Sequence, residues 1–366
     1  MSLPAKFTAL ISEQTQYHHL DTTLVLESGE ELADVVVAYR TWGKIENAAQ
    51  HAVLICHALT ASADVDAWWP GMIGAGKAFD PASDFIICAN LLGSCYGTTG
   101  PVSRKPDGAE RYRADFPSIS VRDMVALQRR LLDHLGVDVL DLVTGPSLGG
   151  MQALEWALLY PERVRSIVPI GVGGQHSAWC IAISEAQRAA IRSDPEWCSG
   201  FYEDDAGPTA GLAAARMMAV CTYRSWQSFE QRFGRADNGE VFAVQSYLRY
   251  QGDKINQRFD ANTYMTLTQA MHSHDLARGR GEYAQVLATL TQATLLVSVS
   301  SDVLYPPHEQ ENLARQLPNA RYEILASASG HDGFLIETPA LADLIADFRA
   351  SLRGGATLQL VSSGSE

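Results

Sequence analysis

No apolar run in the 366 residues is long enough to serve as a membrane-spanning helix. The N-terminal stretch MSLPAKFTALISEQTQ has no basic segment followed by an apolar one, so no secretion signal is expected. Positive charge is scarce, with 28 Lys and Arg against 42 Asp and Glu and a net charge of -14. Such a balance disfavours a nucleic-acid backbone, whose phosphates need clustered cations, and gives no reason to expect an anionic membrane surface. The six cysteines contain no C-x-x-C pair and no His at zinc-finger spacing, so no metal site is expected. In a long chain without a secretion signal, three disulfides are disfavoured as well. What remains is an ordinary soluble composition, 46% hydrophobic and 19% charged, and the expected location is the cytoplasm. The length suits one large domain or a core with an inserted subdomain.

The apolar pattern has two textures. ADVVVAYRTWG, HAVLICHAL, DFIICANLLG, VLDLVTG and SIVPIGVG read as short buried strands with Gly- and Pro-marked turns between them. Ser120 to Leu135 carries a helical period at Met124, Leu127, Leu131 and Leu135, with Ser120 as N-cap, Asp123 three residues on and Gly136 after the end. A second helix, GGMQALEWALLYP, follows VLDLVTG. This alternation predicts an α/β fold with a mostly parallel sheet flanked by helices. From about Ser177 to Leu290 the chain reads as helices alone, and strands return at ATLLVSVSSD and ARYEILASASGHDG before a last helix, ETPALADLIADFRASLRG. Residues 1–176 and 291–366 are therefore expected to form the core and 177–290 a helical insertion. The tail GGATLQLVSSGSE is expected to fray.

Gly145-Pro146-Ser147-Leu148-Gly149 is a G-x-S-x-G motif between an expected strand and an expected helix. A sharp turn there needs small flanking residues, exposes the serine at the sheet edge, and places the Leu148 N–H at a helix start, where it can stabilise an oxyanion. This is the nucleophile turn of the α/β-hydrolase fold, in which an acid and then a histidine follow the serine in the chain. Asp302 ends LLVSVSSD and His331 follows ARYEILASAS, so both fall at the sheet edge that carries Ser147. Asp84, Asp275 and His308 compete for these roles, but Asp84 precedes its strand and His308 is too near Asp302. The second oxyanion donor is expected from the loop after an early strand, at the Leu59 N–H in CHALT. His57 in the same segment is expected to be structural.

Nearly the whole chain, from VAYRTWG to GHDGFLIE, resembles the homoserine O-acetyltransferase family, acyl-CoA-dependent enzymes of methionine biosynthesis. The matching text includes VAYRTWG, CHALT, WWPGMIGAGKAFD, ANLLGSCYGTTGP, GPSLGGMQALEWALLYPERV, IAISEAQRAAI, ARMMAVCTYRS, SYLRYQGDKINQRFDANTY, SSDVLYPP and GHDGFLIE. The resemblance implies a ping-pong reaction through an acyl-Ser147 intermediate, with acetyl-CoA as co-substrate and no tightly bound cofactor. It implies Arg216 on the substrate carboxylate and Asp332 on its ammonium, and a helical lid that narrows the entrance and makes a homodimer contact. Trp179, Tyr223 and Tyr247 could line that entrance, although packing is the plainer reading for each, as it is for Trp68-Trp69. The sequence departs from the commonest pattern at Pro146, where glycine is usual, at Gln245, where the family often has Glu, and in a short loop after CHALT. Succinyl transfer, serine as acceptor, and plain ester hydrolysis by the same triad are the competing activities; a catalytically dead binding protein is the other class.

Overall fold

The computed structural model describes residues 3–204, 206–237 and 239–353; the tail expected to fray lies outside the described residues. Eight strands form the main sheet: β1 (Gln16–His19), β2 (Val36–Trp42), β3 (Ala52–Ile55), β4 (Phe85–Ala89), β5 (Leu142–Pro146), β6 (Ser166–Ile170), β7 (Ala293–Val299) and β8 (Ala320–Leu325). Their spatial order is β1-β2-β4-β3-β5-β6-β7-β8. β2 pairs antiparallel with β1 and with β4, and every other neighbouring pair is parallel. Seven of these strands match strand-like segments of the sequence, six of them apolar runs and the seventh, ARYEIL, at the other edge. The edge strand β1, QYHH, has no apolar pattern to reveal it, and its residues are mostly exposed.

Strand alternation divides the core into two layers. Leu54, Ile87, Val143, Ile167 and Leu296 pack with helices α1 (Val121–Leu135) and α2 (Leu148–Leu159). Val53, Ile55, Ile86, Leu142, Val168, Leu295 and Val297 face the other way, against Trp69, Met72 and the C-terminal helix, Thr338–Arg353. The period of two in a pleated strand sends neighbours to opposite faces, so a sheet covered on both sides needs continuous apolar strands. α1 begins with the expected cap: the Ser120 hydroxyl accepts from the Asp123 N–H, and the Asp123 carboxylate accepts from the Ser120 N–H. On the far edge of the sheet, Asp84 is gripped by both terminal nitrogens of Arg349 at 2.8 and 2.7 Å. That buried ion pair removes Asp84 from the candidates for the site.

Between β6 and β7 the chain is helical: α3 (Ala178–Arg192), α4 (Thr209–Tyr223), α5 (Ala243–Arg258) and α6 (Ala261–His272), with shorter helices at Trp226–Arg232 and Tyr283–Ala288. Among the described residues this stretch adds no strand to the main sheet. Gln245 sits in the first turn of α5, where its side-chain oxygen accepts from the Phe242 N–H at 2.9 Å. A glutamate could make the same bond, so the departure from the family pattern is structurally neutral. All six cysteines are free, four of them buried. No described helix is long and apolar enough to cross a membrane.

Candidate active site

β5 delivers Ser147 from the centre of the sheet. Pro146 still pairs in register with Ile170, and the Ser147 N–H donates to the Ile170 carbonyl at 2.8 Å. Ser147 adopts φ 56° and ψ -120°, a left-handed conformation that costs a side-chain-bearing residue roughly 1–3 kcal/mol and persists only where the surroundings enforce it. The surroundings are visible. A Cβ on Gly145 or Gly149 would collide with the Cys56 carbonyl oxygen, and one on Gly150 would lie 2.6 Å from a Val172 methyl. The spacing of glycines in the motif is thus a packing requirement of β5 and α2 against the loop after β3.

His331 follows β8 in a short turn, Gly330–Asp332, and its ring is buried. Its Nδ1 lies 2.6 Å from Asp302 Oδ2. Asp302 Oδ1 accepts the N–H groups of Leu304 and Tyr305 at 2.8 and 2.9 Å, which fixes the carboxylate after β7. A carboxylate can only accept, so Nδ1 carries the proton and Nε2 presents a lone pair. That Nε2 is buried with no hydrogen-bond partner among the described residues. Burial lowers the imidazole pKa, but the charge of Asp302 and its hydrogen bond outweigh this, so the pKa is raised above the ordinary histidine value. Room for the ring comes from Gly171, where a Cβ would stand 3.2 Å from His331 Cε1.

Ser147, His331, Leu59, Arg216 and Asp332 line one cavity of about 380 Å³, as do Trp68, Tyr223, Lys254 and Arg258. The Ser147 hydroxyl and His331 Nε2 share it without a mutual hydrogen bond, as is common before substrate tightens such a site. Neither the Leu59 nor the Leu148 N–H donates a hydrogen bond among the described residues. For Leu148 this follows from its place as the first residue of α2, where N–H groups have no intrahelical acceptor. His57 is fully buried; its Nδ1 meets the Ala58 carbonyl at 2.9 Å, its Nε2 accepts from the Leu91 N–H at 3.3 Å, and burial depresses its pKa to about 4. It is a neutral structural histidine.

Arg216, on α4, makes no ion pair among the described residues and lies 5.3 Å from the Tyr223 ring centre. Asp332 is ion-paired with Arg224 at 3.2 Å. Burial pushes the Asp332 pKa up, against the opposing pull of Arg224, His331 and Arg216. Arg224 is the C-cap of α4, and no spacing or motif in the sequence marks it as a partner of Asp332. Of the three aromatics weighed for the entrance, Tyr223 lines the cavity, Trp179 is half-exposed with its indole N–H on the Val303 carbonyl, and Tyr247 packs with Phe229 and Phe233. The Trp68-Trp69 pair divides its duties: Trp69 is buried and donates to the Phe334 carbonyl, whereas Trp68 lines the cavity.

Residues 51–338 match the model of the alpha/beta hydrolase fold family. The homoserine O-acetyltransferase of Trichormus variabilis is 57% identical over 344 residues, covering 93% of this chain and 96% of that protein. That of Chlorobaculum tepidum is 52% identical over 345 residues, 94% of this chain and 97% of its own. Among solved structures, esterase E22 superposes with a TM-score of 0.83 at 26% identity, covering 92% of this chain and 99% of that one.

Proposed function

The chain belongs to the homoserine O-acetyltransferase family, on the alpha/beta hydrolase fold, and from that premise we propose that Ser147, His331 and Asp302 are its nucleophile, general base and orienting acid. It is an acyltransferase that moves an acetyl group to homoserine. The observation that carries the residue assignment is His331, tethered through Nδ1 to Asp302 and left with a free Nε2 in the cavity that holds Ser147.

In this reading the Ser147 oxygen attacks the thioester carbonyl of acetyl-CoA, and its proton passes to His331 Nε2. The Leu59 and Leu148 N–H groups hold the tetrahedral oxyanion. Collapse breaks the C–S bond, and the proton on His331 leaves with the CoA sulfur. The side-chain hydroxyl of homoserine then attacks the acetyl-serine, its proton moving to Nε2 and returning to Ser147 as the ester product departs. Arg216 supplies the fork that matches the substrate carboxylate, and Asp332 accepts from the ammonium. The helices of 177–290 act as a lid that keeps water from the acyl-enzyme. They carry exposed Trp226, Phe242 and Tyr250, apolar surface consistent with a homodimer contact, which light scattering on the purified chain would test.

The deciding experiment is thiol release from acetyl-CoA and succinyl-CoA, each with homoserine or serine, with mass analysis of the product. Acetyl-CoA with homoserine is expected to win clearly. The likeness to esterase E22 favours one second reading, water as the acceptor. In that case CoA would be released steadily without homoserine, at a rate comparable to that with it; a transferase stops after one acylation burst.

A further inference from the structure

The loop that would carry one oxyanion donor has no secondary structure of its own. It leaves β3 at Cys56 and runs through His57, Ala58, Leu59 and Thr60, closed by a single backbone bond from the Ala61 N–H to the Ala58 carbonyl at 3.0 Å. On its inner side His57 pins it to the Leu91 N–H. On the cavity side the hold comes from the helical segment: Arg258, the last residue of α5 and 198 positions away, donates Nη1 to the Thr60 carbonyl at 2.6 Å and Nη2 to the Thr60 hydroxyl at 3.3 Å. Arg258 is itself fixed. The Tyr96 hydroxyl donates to the Arg258 carbonyl at 2.6 Å, and Nη1 lies 3.4 Å from the same hydroxyl.

We infer that Arg258 is a positioning residue for the reaction, holding the loop so that the Leu59 N–H stands where the oxyanion forms. This rests on the assignment of Leu59 in the proposed function. Charge-assisted hydrogen bonds from one planar guanidinium to two oxygens of the same residue fix orientation as well as distance. An oxyanion donor is effective only when it is held in place before charge develops, so a loop freed to wander loses rate and not substrate affinity. The arrangement also ties the oxyanion loop to the docking of α5: the donor is in place only when the helices over the site are.

The test is the single-turnover acylation rate of Ser147 in Arg258→Met and Arg258→Lys, with two donors. One is acetyl-CoA, and the other is the phosphate-free thioester S-acetyl-N-acetylcysteamine. A positioning role predicts that Met lowers the rate constant about 10- to 100-fold with both donors, below the about 10²–10³-fold of losing a donor outright. The KM for either donor should hardly move, and Lys should restore part of the rate. If only the KM for acetyl-CoA rises and the truncated donor is unaffected, Arg258 binds the donor's phosphates and the inference fails. It fails also if the rate per fluorophosphonate-titrated serine is unchanged while the melting temperature falls, since Arg258 then only staples the fold. Should Arg258→Met not fold, Tyr96→Phe removes the anchor on the Arg258 carbonyl and is expected to show the same rate-only loss, smaller in size; an unchanged rate there overturns the inference. Failure of the Ser147 assignment looks different, because wild-type Ser147 would then not label at all.

Discussion

Replacing Asp302 by Asn probes the histidine through the exchange of one carboxylate oxygen for an NH2. Asp302 Oδ1 accepts two backbone N–H groups, from Leu304 and Tyr305, and an amide nitrogen at that position would face two donors. The Asn side chain is therefore forced to put its oxygen there and its NH2 at the position of Oδ2, opposite His331 Nδ1. A donor now meets Nδ1, so the proton moves to Nε2 and the ring can no longer take one from Ser147. The volume is unchanged and both backbone bonds survive, so the fold should too. The size of the loss follows from the tautomer: inverting it in a Ser-His-Asp triad lowers turnover by about 10⁴-fold. That corresponds to ~5.4 kcal/mol of transition-state stabilisation. The assay is the acetyl-CoA acylation burst at neutral pH, with thermal melting as the control for folding. A loss of less than about 10-fold in a folded protein would show that Asp302 does not set the His331 tautomer and that another acid does, and the reasoning from the two backbone donors would be wrong.

The acylation rate of the wild type should rise with pH along a limb set by His331. The base must be neutral to work and its pKa is raised, so the midpoint is expected above the ordinary value of about 6.5, and a midpoint below it would contradict the coupling to Asp302. By the same coupling the charged His331–Asp302 pair contributes stability that is full below the unfolded histidine pKa and fades as pH climbs through the raised one, which melting curves across neutral pH can follow. Arg216→Lys should raise the KM for homoserine about 10- to 100-fold by removing the two-pronged grip, while the acylation burst, which needs no homoserine, keeps its rate. Gly149→Ala drives a methyl into the Cys56 carbonyl; denaturant unfolding should show a loss of about 1–3 kcal/mol, and fluorophosphonate labelling of Ser147 should slow with it.

Much of the fold could be read from the chain because its cause is local. Six core strands are legible as short apolar runs, since a sheet covered on both faces leaves no polar alternation, and the capping pair Ser120 and Asp123 announces α1. The turn at Ser147 is legible for the same reason: glycines at 145 and 149 are demanded by a backbone approach that no side chain survives. The edge strand QYHH was not legible, because its pairing with β2 is made by backbone groups and its side chains face solvent. Charge partners were the other blind spot. Arg224 reaches Asp332 across 108 positions of sequence, and Arg258 reaches Thr60 across 198, with no local periodicity to mark either. Residue types and spacing therefore determined which groups could do chemistry here: a serine on a turn, a histidine and an acid at strand ends. Only the tertiary structure decided that Nδ1 of His331 faces Asp302, that its Nε2 stays free in the Ser147 cavity, and that helices from another part of the chain hold the loop beside it. Orientation is set by contacts between segments far apart in sequence, and such contacts exist only once the chain has folded.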